Sequence, residues 1–206
     1  MKIIFATGNK GKLAEIEKIL DTDKFEIIAM KEAGFDGDIV EDGTTYEENA
    51  MIKVHAVRKY LDESGYPDEC IVMADDSGLE VDYLGGKPGI YSARYMGEDT
   101  PYSIKNQAII DALDGVPDEQ RGARFVCAIA MSFPDGTEQT VRATYEGRVA
   151  YETRGTNGFG YDPMFFIPEQ NATDAELPIE YKNKNSHRAK ALRKAQEIID
   201  TWTCRE

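Results

Sequence analysis

The chain has 206 residues, 41% of them hydrophobic, enough to bury a core that folds without covalent staples. Its three cysteines, Cys70, Cys127 and Cys204, lie far apart and out of metal-ligand spacing with the only two histidines, His55 and His187, which argues against a disulfide framework and against a zinc site. A formal net charge of −14 repels polyanions, so neither a nucleic-acid polymer nor an anionic membrane is expected as a main partner; small anions remain open if cations are focused locally.

Residues 2–6 read as a buried strand that breaks at Gly8 and Asn9 into an amphipathic helix with Leu13, Ile16 and Leu20 on one face. That apolar start is too short for a signal h-region, and no segment approaches the roughly 20 apolar residues of a membrane span, so the cytoplasm is the expected address. A second helix is expected over about residues 45–61, with Tyr46, Ala50, Val54, Val57 and Leu61 at helical spacing and Glu48, Ile52 and His55 on another face. Residues 70–74 read as an interior strand ending abruptly at Asp75, Asp76, Ser77 and Gly78, where the chain turns polar. Thr100 as N-cap with Pro101 at the first helical position should open a third helix. Residues 124–133 and 138–146 look like two strands of a hairpin joined by Pro134, Asp135, Gly136 and Thr137. The last helix is expected from Ser186, burying Leu192, Ala195, Ile199 and Trp202. The whole reads as a single α/β domain, residues 1–206, with a mixed sheet bent into two lobes around a cleft.

Five strings in this frame can carry chemistry. Thr7, Gly8, Asn9, Lys10, Gly11 and Lys12 stand where a strand gives way to a helix whose first N–H groups lack intrahelical partners; two lysines and the helix dipole favour phosphate there. The string is not a Walker P-loop, and an ordinary strand-to-helix turn is the plain alternative. Asp75 and Asp76 can hold a hard cation, with one of the pair facing a ligand and the other securing the loop, because successive strand side chains point to opposite faces; an Asx turn is the alternative. Glu48, with Asn49 beside it and Lys53 further along, could complete a magnesium site with Asp76, since Mg2+ takes one or two protein carboxylates plus waters and phosphate oxygens. The Gly-rich loop of residues 155–163, GTNGFGYDP, embeds two aromatic rings able to stack on a heterocycle, or simply to pack on itself. Finally, residues 181–194 hold six Lys or Arg and no acid, a solvated face on composition alone; but Ser186 as N-cap places His187 and Arg188 in the first turn of a helix, where cations oppose the dipole, which hints at a ligand, with Lys182 nearby.

Taken in order, TGNKGKLAEI, EENA with Lys53, ADDSGLEVD, PGIYSARY, GFGYDP with the following FFIP, and KNKNSHRAKAL resemble the Ham1 family of inosine triphosphate pyrophosphatases from end to end. Val54, where many relatives have Ala, and the insertion-like DESGYPDEC depart from the pattern without touching a polar site position. The resemblance implies a long mixed β-sheet separating two lobes with flanking helices and a central nucleotide cleft, in a homodimer. It also implies an activity: hydrolysis of ITP, dITP or XTP to the monophosphate and pyrophosphate. Carried onto matching positions, Thr7, Gly8, Asn9, Lys10, Gly11 and Lys12 bind the triphosphate, Glu48 and Asp76 the magnesium, with Asp76 also the proton acceptor. Ser77 contacts substrate, and Phe159, Gly160, Tyr161, Asp162, Lys182, His187 and Arg188 bind the nucleotide and read its 6-oxo purine. Donors aimed at O6 would reject adenine, whose amine leaves them unpaired. A broader triphosphate pyrophosphatase, a nucleotide-binding regulator without turnover and a nucleic-acid module are the competing classes; the presence of both Glu48 and Asp76 speaks against the second and the net charge against the third.

Overall fold

The computed structural model describes residues 1–204, apart from the side chain of Lys10. The expected mixed α/β sheet is present: eight strands, of which seven run in the order β2-β1-β3-β5-β6-β7-β8 while β4 pairs with β3 alone. The strands are β1 (Lys2–Phe5), β2 (Glu26–Ala29), β3 (Cys70–Val81), β4 (Pro88–Gly89), β5 (Gly122–Ser132), β6 (Glu138–Val149), β7 (Phe165–Ile167) and β8 (Ala172–Thr173). The helices are α1 (Lys10–Ile19), α2 (Tyr46–Ser64), α3 (Tyr102–Ala112), α4 (Ile179–Asn185) and α5 (His187–Thr203).

Local chemistry explains most boundaries. Asn9 caps α1, its Oδ1 accepting from the backbone of Gly11 at 2.9 Å and of Lys12 at 3.2 Å. Thr45 caps α2 by accepting from the Glu48 N–H at 3.1 Å, and Gly65 closes the helix in the left-handed conformation. The third helix starts one residue later than expected, at Tyr102: Thr100 turns its hydroxyl to the Met96 carbonyl at 2.7 Å instead of capping, which leaves Pro101 as the cap residue. The hairpin closes as expected, with Phe133 N–H donating to Thr137 O at 2.9 Å. The expectation that the strand stops at Ala74 is overturned. β3 continues through Asp75, Asp76, Ser77 and Gly78 to Val81, so the two carboxylates stand in mid-strand rather than in a turn.

Contacts divide the chain into two compact units. One holds Met1–Asp76, Cys127–Ala143 and the described residues from Arg188 on; the other holds Ser77–Val126 and Thr144–His187. In the first, β1 and β3 alternate strictly. Ile3, Phe5, Ile71 and Met73 join Ile16, Leu192 and Ile199 in one apolar cluster, while Ile4, Ala6, Val72 and Ala74 join Ala50, Val54 and Val57 of α2 in another. In the second, Leu79, Val81, Ile109, Phe125, Tyr145, Tyr161 and Phe165 form the core. Among the described residues no helix is long and apolar enough to cross a membrane. Cys70, Cys127 and Cys204 are all free thiols.

Candidate active site

The alternation that fills the two clusters also divides Asp75 from Asp76. Asp75 continues the Ile71, Met73 side of β3 and meets α1 and α5. Its Oδ2 lies 2.8 Å from Lys12 Nζ and 3.3 Å from Arg188 Nε, and Arg188 also pairs with Glu15 of α1. All this is buried: Asp75 is 1% exposed and Arg188 3%. Burial works against the Asp75 charge, but the Lys12 and Arg188 cations overcome it and hold the carboxyl well below its ordinary value. Asp75 Oδ1 is buried without a hydrogen-bond partner.

Asp76 continues the Val72, Ala74 side and meets α2. Asn49 Nδ2 donates to its Oδ2 at 3.1 Å, and Lys53 Nζ stands 4.0 Å from its Oδ1 while pairing with Glu41 at 2.9 Å. Burial pushes this carboxyl up, and Lys53, Lys12 and Asn49 only partly offset it. One step along the strand gives two adjacent acids opposite electrostatics: cations more than offset burial at Asp75 and only partly offset it at Asp76. Glu48, exposed at the start of α2, accepts from the Thr44 N–H at 2.6 Å and the Thr44 hydroxyl at 2.8 Å, which hold it below its ordinary value.

At the β1–α1 turn, Asn9 already occupies two of the helix N–H donors expected to face phosphate, and its own N–H donates to Thr7 Oγ1 at 3.2 Å. Gly8 is not demanded by packing, since a Cβ there would meet only the Met30 methyl at 3.9 Å. The role expected of the Lys10 side chain lies outside the described residues.

In the second unit the GFGYD segment is fixed on several sides. Tyr161 OH donates to the Ser92 carbonyl at 2.8 Å, and Asn106 Nδ2 of α3 donates to the Gly160 carbonyl at 3.1 Å. Asp162 Oδ2 accepts from the Phe159 N–H at 2.9 Å and from Lys182 Nζ at 2.5 Å. Gly158, at φ +77°, lies so close over this pair that a Cβ would fall 2.1 Å from the Asp162 carboxylate and 2.4 Å from Lys182 Nζ; only glycine fits. Phe159 stays 44% exposed, the centre of its ring 5.9 Å from Lys182 Nζ. His187 stacks on Phe125 at 4.9 Å. Ser77 is half-buried in β3.

Lys182 and Arg188 are therefore not part of a solvated face, as their basic run suggests on composition alone; each is a buried cation held by two carboxylates. Sequence reasoning did not find Glu15, Glu41 or Asp174. Glu15 carried a signal, standing three residues after Lys12 on the same helix face. Glu41 and Asp174 carried none, because their partners are brought by tertiary packing.

The Ham1 family matches residues 3–198. The chain belongs to that family. It is 44% identical over 199 residues to the dITP/XTP pyrophosphatase of Bacillus licheniformis, covering 97% of this chain and 98% of that one. To the dITP/XTP pyrophosphatase of Clostridium perfringens it is 45% identical, over 96% and 97% of the two chains. The solved Staphylococcus aureus Ham1 protein superposes with a TM-score of 0.85 at 38% identity, covering 98% of this chain and 99% of its own. The family match spans both compact units.

Proposed function

We propose that the chain, acting as one domain over residues 1–206, hydrolyses non-canonical purine nucleoside triphosphates, ITP, dITP and XTP, to the monophosphate and pyrophosphate. The observation that carries this is the under-compensated Asp76, buried beside Lys53 and Asn49 with Glu48 on the same helix, in a chain whose near-full-length relatives are dITP/XTP pyrophosphatases.

The donor set fits Mg2+. Asp76 and Glu48 are hard oxygen ligands, and among the described residues no cluster of three or more His, Cys, Asp or Glu would favour a softer or more heavily caged ion. Asp76 and Glu48 would hold the ion, which supplies charge neutralisation at the phosphates and a more acidic water. The rest is done by the chain. Lys12 and Lys53 add positive charge where pyrophosphate leaves, and Asp76 orients the attacking water toward the α-phosphorus. Arg188 serves by fixing Asp75, and through it Lys12, beside Thr7, Gly8, Asn9, Lys10 and Gly11 at the triphosphate. Phe159 offers a ring face to the purine, while Gly160, Tyr161, Asp162, Lys182, His187 and Ser77 complete the nucleotide contacts; a Lys182 N–H donates to O6 of a 6-oxo purine but has no acceptor on the adenine amine.

The test is the product released from ITP, XTP, dITP, ATP and GTP with and without magnesium. Pyrophosphate from the first three, lost on chelation, is the expected result; orthophosphate, or equal rates with ATP, sinks the proposal. We further propose a cytoplasmic homodimer. Light scattering at micromolar protein should give twice the chain mass, and a concentration-independent monomer would refute it.

A further inference from the structure

The second unit contains a buried charge cluster with one acid more than it needs. Lys182 Nζ lies 2.5 Å from Asp162 and 3.2 Å from Asp174, and the three residues are 5%, 7% and 2% exposed. A single Lys–Asp pair would be neutral. The added carboxylate leaves a net negative charge out of water, a costly arrangement unless it positions something. Asp174 Oδ1 is buried without a hydrogen-bond partner.

The segment that carries Asp174 also straps down the Gly-rich loop. Thr156 and Asn157 N–H donate to the Ala175 carbonyl at 3.1 and 2.9 Å, Asn157 Nδ2 to the Leu177 carbonyl at 3.1 Å, and Thr173 Oγ1 to the Arg154 carbonyl at 2.8 Å. A Cβ on Gly155 would fall 2.3 Å from the Ala175 backbone, so loop and strap are in direct contact. A capping box between Thr173 and Glu176 fixes the strap itself. Asp174 therefore sits on a rigid element that registers both the loop and Lys182.

We propose that Asp174 is a positioning residue for base recognition, a second anchor that leaves one N–H of the Lys182 ammonium in fixed orientation for the 6-oxo group of a purine. The proposal rests on the reading that Lys182 contacts the base. A lysine on a four-carbon stem with one anchor swings about it; two anchors use two of its three N–H groups and set the direction of the third.

The cluster also titrates. Burial and the Asp162 carboxylate push Asp174 up to about 6, opposed by Lys182. Tyr145 of β6 lies in the field of Asp174 and in turn meets Tyr181 of α4 and the field of Glu169, while Arg154 pairs with Glu176 on the strap. Protonation removes the second anchor, so discrimination should weaken as pH falls through about 6.

The experiment measures kcat and KM for ITP and ATP between about pH 5 and pH 8. The ITP to ATP ratio of kcat/KM cancels the titration of the triphosphate, which both substrates share. In the unmodified protein the ratio should fall on the acid side. Asp174→Leu should raise KM for ITP roughly tenfold, about the weight of one charge-assisted hydrogen bond, with kcat within about twofold. Asp174→Asn, which keeps an acceptor but no titrating proton, should show a smaller rise and a pH-independent ratio. If Lys182→Met leaves KM and the ratio unchanged, the base-contact reading falls and takes the proposal with it. If Lys182→Met raises KM while Asp174→Asn keeps the wild-type ratio and its pH dependence, the base reading stands and the role of Asp174 is overturned. Should Asp174→Leu fail to fold, a flat ratio in the unmodified protein across the pH range also overturns it.

Discussion

Asp76→Asn is expected to lower kcat at least about a hundredfold, some 2.7 kcal/mol of barrier, while leaving the fold intact or firmer. The substitution keeps volume and the contact with Asn49 but removes the charge that would hold the cation and orient water. Its effect on stability should run the other way. Burial pushes the Asp76 carboxyl up, so the folded protein holds its proton more tightly than the unfolded chain, and ionisation at neutral pH works against folding. That cost is absent below the unfolded value and fully present once pH exceeds the folded one. A neutral Asn escapes it, and Lys53 keeps Glu41 at 2.9 Å as a partner. In metal-free buffer at neutral pH the variant should melt at or above the unmodified protein, and at saturating magnesium it should be nearly dead. Retention of more than about a tenth of kcat would show that Asp76 is not the central carboxylate; a large drop in melting temperature would show that its role is structural.

The pairing of activity loss with stability gain is what separates Asp76 from its neighbour, and the sequence held half of that distinction. The period of two made it legible that adjacent acids in a strand serve different faces. It did not make legible that the strand runs on to Val81, because Asp75, Asp76, Ser77 and Gly78 are poor strand formers that tertiary pairing overrides. Strong periodicity gave α2 and α5. The short elements β2, β4, β7, β8 and α4 were invisible because two to seven residues carry too little pattern to stand out. The site divided in the same way. Residues with local punctuation, such as Asn9, Gly158 and the GFGYD string, were found from sequence; Glu15, Glu41 and Asp174 were not, since each matters only through a cation brought to it by folding.

Arg188 is the residue for which this difference has the largest consequence for stability. From sequence it is a cation at the first turn of a helix, opposed by the dipole; in the fold, Asp75 and Glu15 supply the compensating charge inside the protein itself. Arg188→Met keeps the apolar stem and removes the fork, leaving a carboxylate that is 1% exposed with Lys12 in contact and Lys53 further off. Breaking a buried pair from one side costs about 3–5 kcal/mol, which for a chain of this size lowers the melting temperature by roughly 10 °C. Arg188→Met combined with Asp75→Asn should recover much of that loss, because the more deeply buried of the two carboxylates that lose Arg188 no longer carries charge. The pH dependence carries the sign of the mechanism. Asp75 is held below its unfolded value, so its contribution is fully present above the ordinary carboxylate range and is lost as pH falls through and below it. In Arg188→Met that acid-side loss should shrink, since part of the cationic support is already missing. Catalysis should suffer through Lys12 at the triphosphate, and therefore equally for ITP and ATP, raising KM for both without changing their ratio. A melting temperature within about 2 °C of the unmodified protein, with the acid limb unchanged, would show that the buried network contributes little; a selective loss of ITP over ATP would return Arg188 to the base.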